Sequence, residues 1–96
     1  MLEEKVAKGA LLMDEIFPDW YKHVDTKTLD ISSISACVLS QVFGGYIEAL
    51  EAIDGHLGSW MDVDQQVDHG FDGDDFRELL DLTNLWVLQI LERRQA

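Results

Sequence analysis

Ser35-Ala-Cys37-Val-Leu-Ser40-Gln-Val-Phe43-Gly44-Gly45-Tyr46-Ile-Glu48-Ala-Leu50-Glu51-Ala-Ile53 is the stretch on which the reading of this chain turns. Val38, Leu39, Val42, Phe43, Tyr46, Ile47, Leu50 and Ile53 recur at helical spacing and, at about 100° per residue, fill an arc of about 180°. That arc is wider than a surface helix needs. Cys37, Ser40 and Gly44 form a small-residue face on the rest of the circumference, where a neighbouring helix can approach closely. The segment Ser35 to Ile53 is therefore expected to be one central helix. Gly44-Gly45 inside it costs about 1 kcal/mol per residue relative to Ala, which close packing or a bend should offset.

Upstream, Leu2, Val6, Ala10, Met13 and Phe17 recur at spacings of three and four, with Leu12 and Ile16 flanking. This predicts an amphipathic helix that Pro18 stops, followed by a turn in which Trp20 and Tyr21 anchor against the core. Asp25 to Ser35, rich in Thr and Ser, reads as an ordered connection. Downstream, Asp54-Gly55 should end the central helix, and a shorter segment from Leu57 to about Asp68 leads to Gly70, placed for a left-handed cap. A last helix is expected with Asp72 as N-cap, Asp74 and Asp75 in its first turn, and Arg93 and Arg94 at its far end. Its expected inward stripe is Phe76, Leu79, Leu80, Thr83, Trp86, Val87, Ile90 and Leu91.

These elements predict a single all-α domain over residues 1–96, a compact bundle of four to five helices around Ser35–Ile53. Ninety-six residues are too few for a second core, and 47% apolar with 27% charged residues disfavours disorder. The one cysteine, Cys37, excludes an intrachain disulfide and fits a reduced cytoplasm. No basic flank precedes an apolar run at the start, as a secretory signal would require, and no apolar run approaches the roughly 18 residues that span a bilayer. Seven Lys and Arg against 19 Asp and Glu leave a formal charge of −12, which repels nucleic acid and anionic membrane and favours basic partners.

Between Thr28 and Phe76 there is no Lys or Arg, while Asp30, Glu48, Glu51, Asp54, Asp62, Asp64, Asp68, Asp72, Asp74 and Asp75 all lie there. Such a field either keeps a small protein soluble or attracts a basic surface, in the sharper case by imitating the phosphate spacing of DNA. Glu48, Glu51, Asp54, Asp62 and Asp64 are its candidate partner-binding acids. Leu85 and Leu88 fall opposite Phe76 and Leu80 on the last helix, with Leu82 leading towards them among Glu78, Asp81 and Glu92. Apolar groups ringed by charge suggest a dimer seam or partner groove, although other helices covering them would remove the site; Asp81, Leu82, Leu85 and Leu88 are the candidates. Trp60-Met61 is either a binding anchor or core, and Trp60 joins the candidate set.

Catalysis is not indicated. His23, His56 and His69 match no local zinc spacing, and the twelfth position counted from Asp68 is Leu79, where a calcium loop needs Glu. Cys37 sits early in an apolar helix with no base nearby in sequence, and no phosphate loop or Ser elbow appears. No metal or cofactor is expected.

Ala10-Leu-Leu-Met-Asp14, Pro18-Asp-Trp20, Asp25 with Leu29-Asp30, Cys37-Val-Leu-Ser-Gln41, Gly44-Gly-Tyr46 and His69-Gly-Phe-Asp72, in that order, resemble a family of small proteins encoded by actinobacteria and especially their bacteriophages. That family usually carries Gly where this chain has Ser40. The resemblance spans most of the chain and implies a setting, the cytoplasm of an infected host, without a mechanism. It also implies that Trp20, Leu29, Val38, Leu39 and Tyr46 anchor the core, that Gly44 permits close packing and that Gly70 caps a helix. The expectation is a non-enzymatic acidic phage-type protein that binds a host protein with a basic surface. The alternative is a structural or self-assembling component, either of them with a possible homodimer.

Overall fold

The structure, a computed structural model, describes residues 1–96. Five α-helices and one 3-10 turn make up its regular structure, with no strand. α1 spans Leu2–Ile16, α2 Val38–Phe43, α3 Tyr46–Leu57, α4 Val63–Asp68 and α5 Phe76–Gln95. The all-α architecture is the one expected, but the element at its centre is not. α1 is the helix packed against α3, α4 and α5.

α1 buries Val6, Gly9, Ala10, Leu12 and Met13. Pro18 has no N–H and disfavours helical backbone in the residue before it. Phe17 accordingly leaves the helix at φ −146°, its N–H closing the last turn on the Met13 carbonyl at 2.8 Å. The 3-10 turn Trp20–His23 then delivers Trp20 to the core, fully buried, where its ring meets Trp86 of α5 edge-on at 5.6 Å. Trp86 also stacks on Phe71 at 5.3 Å and donates from Nε1 to the Gly70 carbonyl at 2.7 Å.

A close backbone approach lies at this point. A Cβ on Gly9 would collide with the His69 carbonyl oxygen, which is backbone and cannot swing aside, and would sit 2.9 Å from Trp86 Cζ2. Gly70 adopts φ 73°, as its capping role requires, and a Cβ there would lie 2.9 Å from Val6 Cα. Gly9 packs α1 against the end of α4, a role the apolar pattern of α1 did not single out.

Ser35–Ile53 is not one helix. Gly44 takes φ 85° and caps α2, its N–H bonding to the Ser40 carbonyl at 3.0 Å, and α3 starts after an extended Gly45. A left-handed residue ends the i to i+4 ladder, so the glycine pair serves as a corner between two helices. Nothing lies within 4 Å of a Cβ built on Gly44; its reason is backbone conformation, and the expected close packing at that position is absent. α3 then runs through Asp54-Gly55 to Leu57 and stops at Gly58, φ 78°. Cys37 and Ser40 are buried as a small-residue pair, with Ser40 Oγ hydrogen-bonded to the Ile34 carbonyl.

The connection before α2 is ordered as expected. Leu29 and Ile31 are buried, Asp25 caps its own turn through Lys27 N–H at 2.9 Å, and Ile31 N–H reaches Thr83 Oγ1 of α5 at 3.0 Å. α4 opens on a reciprocal cap: Asp62 accepts from Gln65 N–H at 2.8 Å, and the Gln65 side chain accepts from Asp62 N–H at 3.0 Å. α5 is capped by Asp75, which accepts from Glu78 N–H at 2.8 Å, so the N-cap lies three residues beyond the expected Asp72.

The buried stripe of α5 is Leu82, Trp86 and Ile90. Of the eight residues expected to face inward, Trp86 and Ile90 do so, Leu79, Thr83 and Val87 are half-buried, and Phe76, Leu80 and Leu91 face solvent. The helix is turned because Trp86 fills the space between Trp20 and Phe71 while Arg93 reaches Asp14 of α1.

Candidate functional site

Three outward features carry the residues the sequence singled out. Along α3, Glu48, Glu51 and Asp54 follow one another at steps of three, so they line one flank of the helix around Ile47, itself exposed. Glu48 and Glu51 are exposed and Asp54 half-buried, and none of the three lies within ion-pair distance of a cation. Each step advances about 4.5 Å along the helix axis. The phosphates of one DNA strand advance about 3.4 Å.

At α4, Asp64 is exposed and unpaired, in the first turn where the helix dipole favours a carboxylate. Asp62 is exposed but one of its carboxylate oxygens is engaged in the cap just described, which leaves the other for a partner. Trp60 precedes it, 50% exposed, whereas its neighbour Met61 is fully buried. The Trp60-Met61 pair therefore divides between surface and core.

On α5 the expected leucine site is taken apart. Leu82 has no exposed surface and cannot meet a partner, because it belongs to the inward stripe. Leu85 is half-buried and lines a shallow hollow with Leu2. Asp81 and Leu88 remain on the outward face, and they are joined there by Phe76, 75% exposed, and by Leu80. Ten of the twenty residues of α5 are Phe, Leu, Trp, Val or Ile, spread over much of its circumference, so periodicity alone cannot choose the inward side. The signal that does choose is Trp86, the bulkiest apolar residue of the helix.

The cations are placed against this. All seven lie in residues 1–27 and 77–96, the parts of the chain that carry α1 and α5, which pack on each other. Lys8 pairs with Asp68, Lys22 with Asp19, and Arg93 with Asp14. The Arg93 guanidinium grips Asp14 with Nε at 3.0 Å and Nη2 at 2.8 Å, and Trp20 Nε1 donates to the same carboxylate at 2.8 Å. The Arg93 hydrogen bonds hold the Asp14 carboxyl below its ordinary 3.8 against the opposing effect of burial, with help from Trp20. The same bonds raise the Arg93 guanidinium. Asp68 is held low by its hydrogen bond from Lys8.

The remaining chemistry is dispersed. His56 faces Glu15 at 3.5 Å, His69 Nδ1 lies 2.7 Å from the Gln65 carbonyl, and the His23 ring packs on Phe17 at 5.1 Å. No three His, Cys, Asp or Glu side chains are grouped to hold a metal ion. Cys37 is a buried free thiol that donates to Ser40 Oγ at 3.4 Å. The hollow beside Asp14, Tyr21 and Arg93, about 410 Å³, presents charged groups already engaged with each other. No helix is long and apolar enough to cross a membrane. No protein-family model, curated protein or solved structure matches the chain.

Proposed function

We propose that the protein works without catalysis, binding a basic surface on another protein through the acids of α3 and α4. The observation that carries this reading is the stretch from Thr28 to Phe76, which has no Lys or Arg and in which Glu48, Glu51, Asp54 and Asp64 stand without ion pairs. Unpaired carboxylates of one sign raise the on-rate and affinity for a surface of the other sign. Trp60, half exposed two residues before Asp62, supplies an apolar anchor at the α4 end. The sharper form is a mimic of DNA directed at a nucleic-acid-binding protein; its support is the sign and density of the charge alone, since acids about 4.5 Å apart along α3 do not keep the step of about 3.4 Å of a phosphate strand.

The resemblance of the Cys37–Tyr46 and His69–Asp72 blocks to small actinobacteriophage proteins sets this reading in a host cytoplasm, with a host protein as target. The test is affinity capture from actinobacterial lysate at low salt, with wild type and a Glu48→Lys/Glu51→Lys/Asp54→Lys variant. A target held by the acids should be lost from the variant, released by salt and displaced by duplex DNA. Equal recovery on both proteins would sink the reading.

A second reading, self-assembly, rests on a different observation. The outward face of α5 exposes Phe76, Leu80, Leu88 and Leu91 along one helix, apolar side chains without a partner in the fold.

A further inference from the structure

We propose that Asp72-Gly73 is a site of spontaneous covalent modification, at which the Asp72 carboxyl closes on the Gly73 nitrogen and the chain isomerises to isoaspartate. Neither binding reading requires it. Asp72 and Gly73 lie in the segment 69–75 between α4 and α5, outside any helix. The Gly73 N–H has no backbone acceptor and donates instead to Asp72 Oδ1 at 2.8 Å. This bond points the nitrogen at the carboxyl group it attacks, and a nucleophile held against its target replaces a chance encounter. Gly73 has no Cβ to shield that nitrogen.

The chain carries a second Asp-Gly pair, which supplies the contrast. Asp54-Gly55 sits inside α3, where the ladder of N–H groups to carbonyls four residues back occupies the Gly55 N–H and fixes the backbone. Ring closure there would require that turn of α3 to open, whereas at Asp72 no helical bond is lost. The two pairs share their local chemistry and differ in backbone. Asp72 is half-buried and borders a hollow of about 240 Å³ with Ile34 and Tyr46, through which water reaches the carboxyl.

In the reaction the Gly73 nitrogen forms a bond to Asp72 Cγ, and its proton leaves with the OH of the carboxylic acid as one water, giving a succinimide. Water then opens the ring. Cleavage between the nitrogen and Cγ restores aspartate, while cleavage between the nitrogen and the Asp72 main-chain carbonyl leaves the chain running through the side chain, one carbon longer. No oxidant or cofactor enters. The fold has little room for that carbon. Phe71, immediately before, is buried and stacked on Trp86 at 5.3 Å, Asp75 caps α5 just beyond, and a Cβ on Gly73 would already stand 3.1 Å from Leu82 Cδ1. The isomerised chain therefore gives up part of the Phe71 packing or the α5 cap.

The experiment incubates the full chain for weeks in mildly acidic buffer at physiological temperature, folded and in urea, and locates isoaspartate by mass spectrometry with electron-transfer fragmentation. In the folded chain Asp72 should convert about tenfold or more faster than Asp54, because α3 must open locally before Asp54 can react. In urea, where both backbones are free, the two should convert at similar rates. Asp72→Glu keeps the charge but lengthens the ring to be closed, and should remove the signal at this position with the helical circular dichroism unchanged. The isomerised fraction should melt about 5 °C below the intact chain. Equal rates at the two pairs in the folded chain would overturn the proposal. So would the same signal persisting in Asp72→Glu.

Discussion

The contact of α1 with α5 and the outward flank of α3 are built on opposite principles. At the first, the buried polar side chains have partners and the central contacts are close: Asp14 holds Arg93 and Trp20, Trp86 bonds Gly70, and Gly9 leaves no room for a methyl group. On the second, Ile47 is exposed and Glu48, Glu51 and Asp54 answer to no cation. Side chains that stabilise the fold are satisfied within it, and side chains left unsatisfied at the surface are available to something else. Stability and binding should therefore respond to separate sets of substitutions.

The strongest way to break that separation is at the crossing point of α1. Gly9→Ala should cost about 3 kcal/mol, read by urea denaturation, because the added Cβ meets the His69 backbone and Trp86 rather than a flexible side-chain end. Gly44→Ala offers a contrast with the same chemistry: nothing stands near its Cβ, and the cost should be only the left-handed conformation, about 1 kcal/mol. Asp14→Asn should cost about 1–2 kcal/mol, since it weakens charge-assisted hydrogen bonds that solvent partly reaches.

Asp14 also predicts the acid limb. Its folded carboxyl ionises more readily than the unfolded one, so its contribution is complete above the ordinary 3.8 and disappears as pH falls through the lower folded value. Acid titration of wild type against Asp14→Asn should show the two stabilities converging below about pH 4. Tyr46→Phe, which removes the 2.5 Å hydrogen bond to the buried Gln66, should cost about 1 kcal/mol. Neutralising the flank with Glu48→Gln, Glu51→Gln and Asp54→Gln should change stability least, within about 0.5 kcal/mol of wild type or slightly upwards, because unpaired like charges repel.

How far the sequence disclosed these regions depends on the kind of signal involved. The extent of α1, its stop at Pro18, the burial of Trp20 and the cap at Gly70 were legible, since each follows from local chemistry. The break at Gly44-Gly45 was not, because an apolar arc continuous through both helices hides a change of direction that only the glycine backbone reveals. The face of α5 was misread for a tertiary reason. With apolar residues spread round the helix, the inward side was settled by where Trp86 and Arg93 found partners, and that exchanged Leu82 for Phe76 and Leu80 at the surface. The acids of α3 were legible as charge, but their freedom from ion pairs required the position of every cation.

The most direct measurement is the salt dependence of capture by wild type and by the α3 charge-reversal variant, scored beside the unfolding free energy of each. The account predicts that the variant keeps its stability and loses its salt-sensitive target. A variant that retains the target at the same salt dependence, or one that loses it only by unfolding, would contradict the assignment of binding to the unpaired acids.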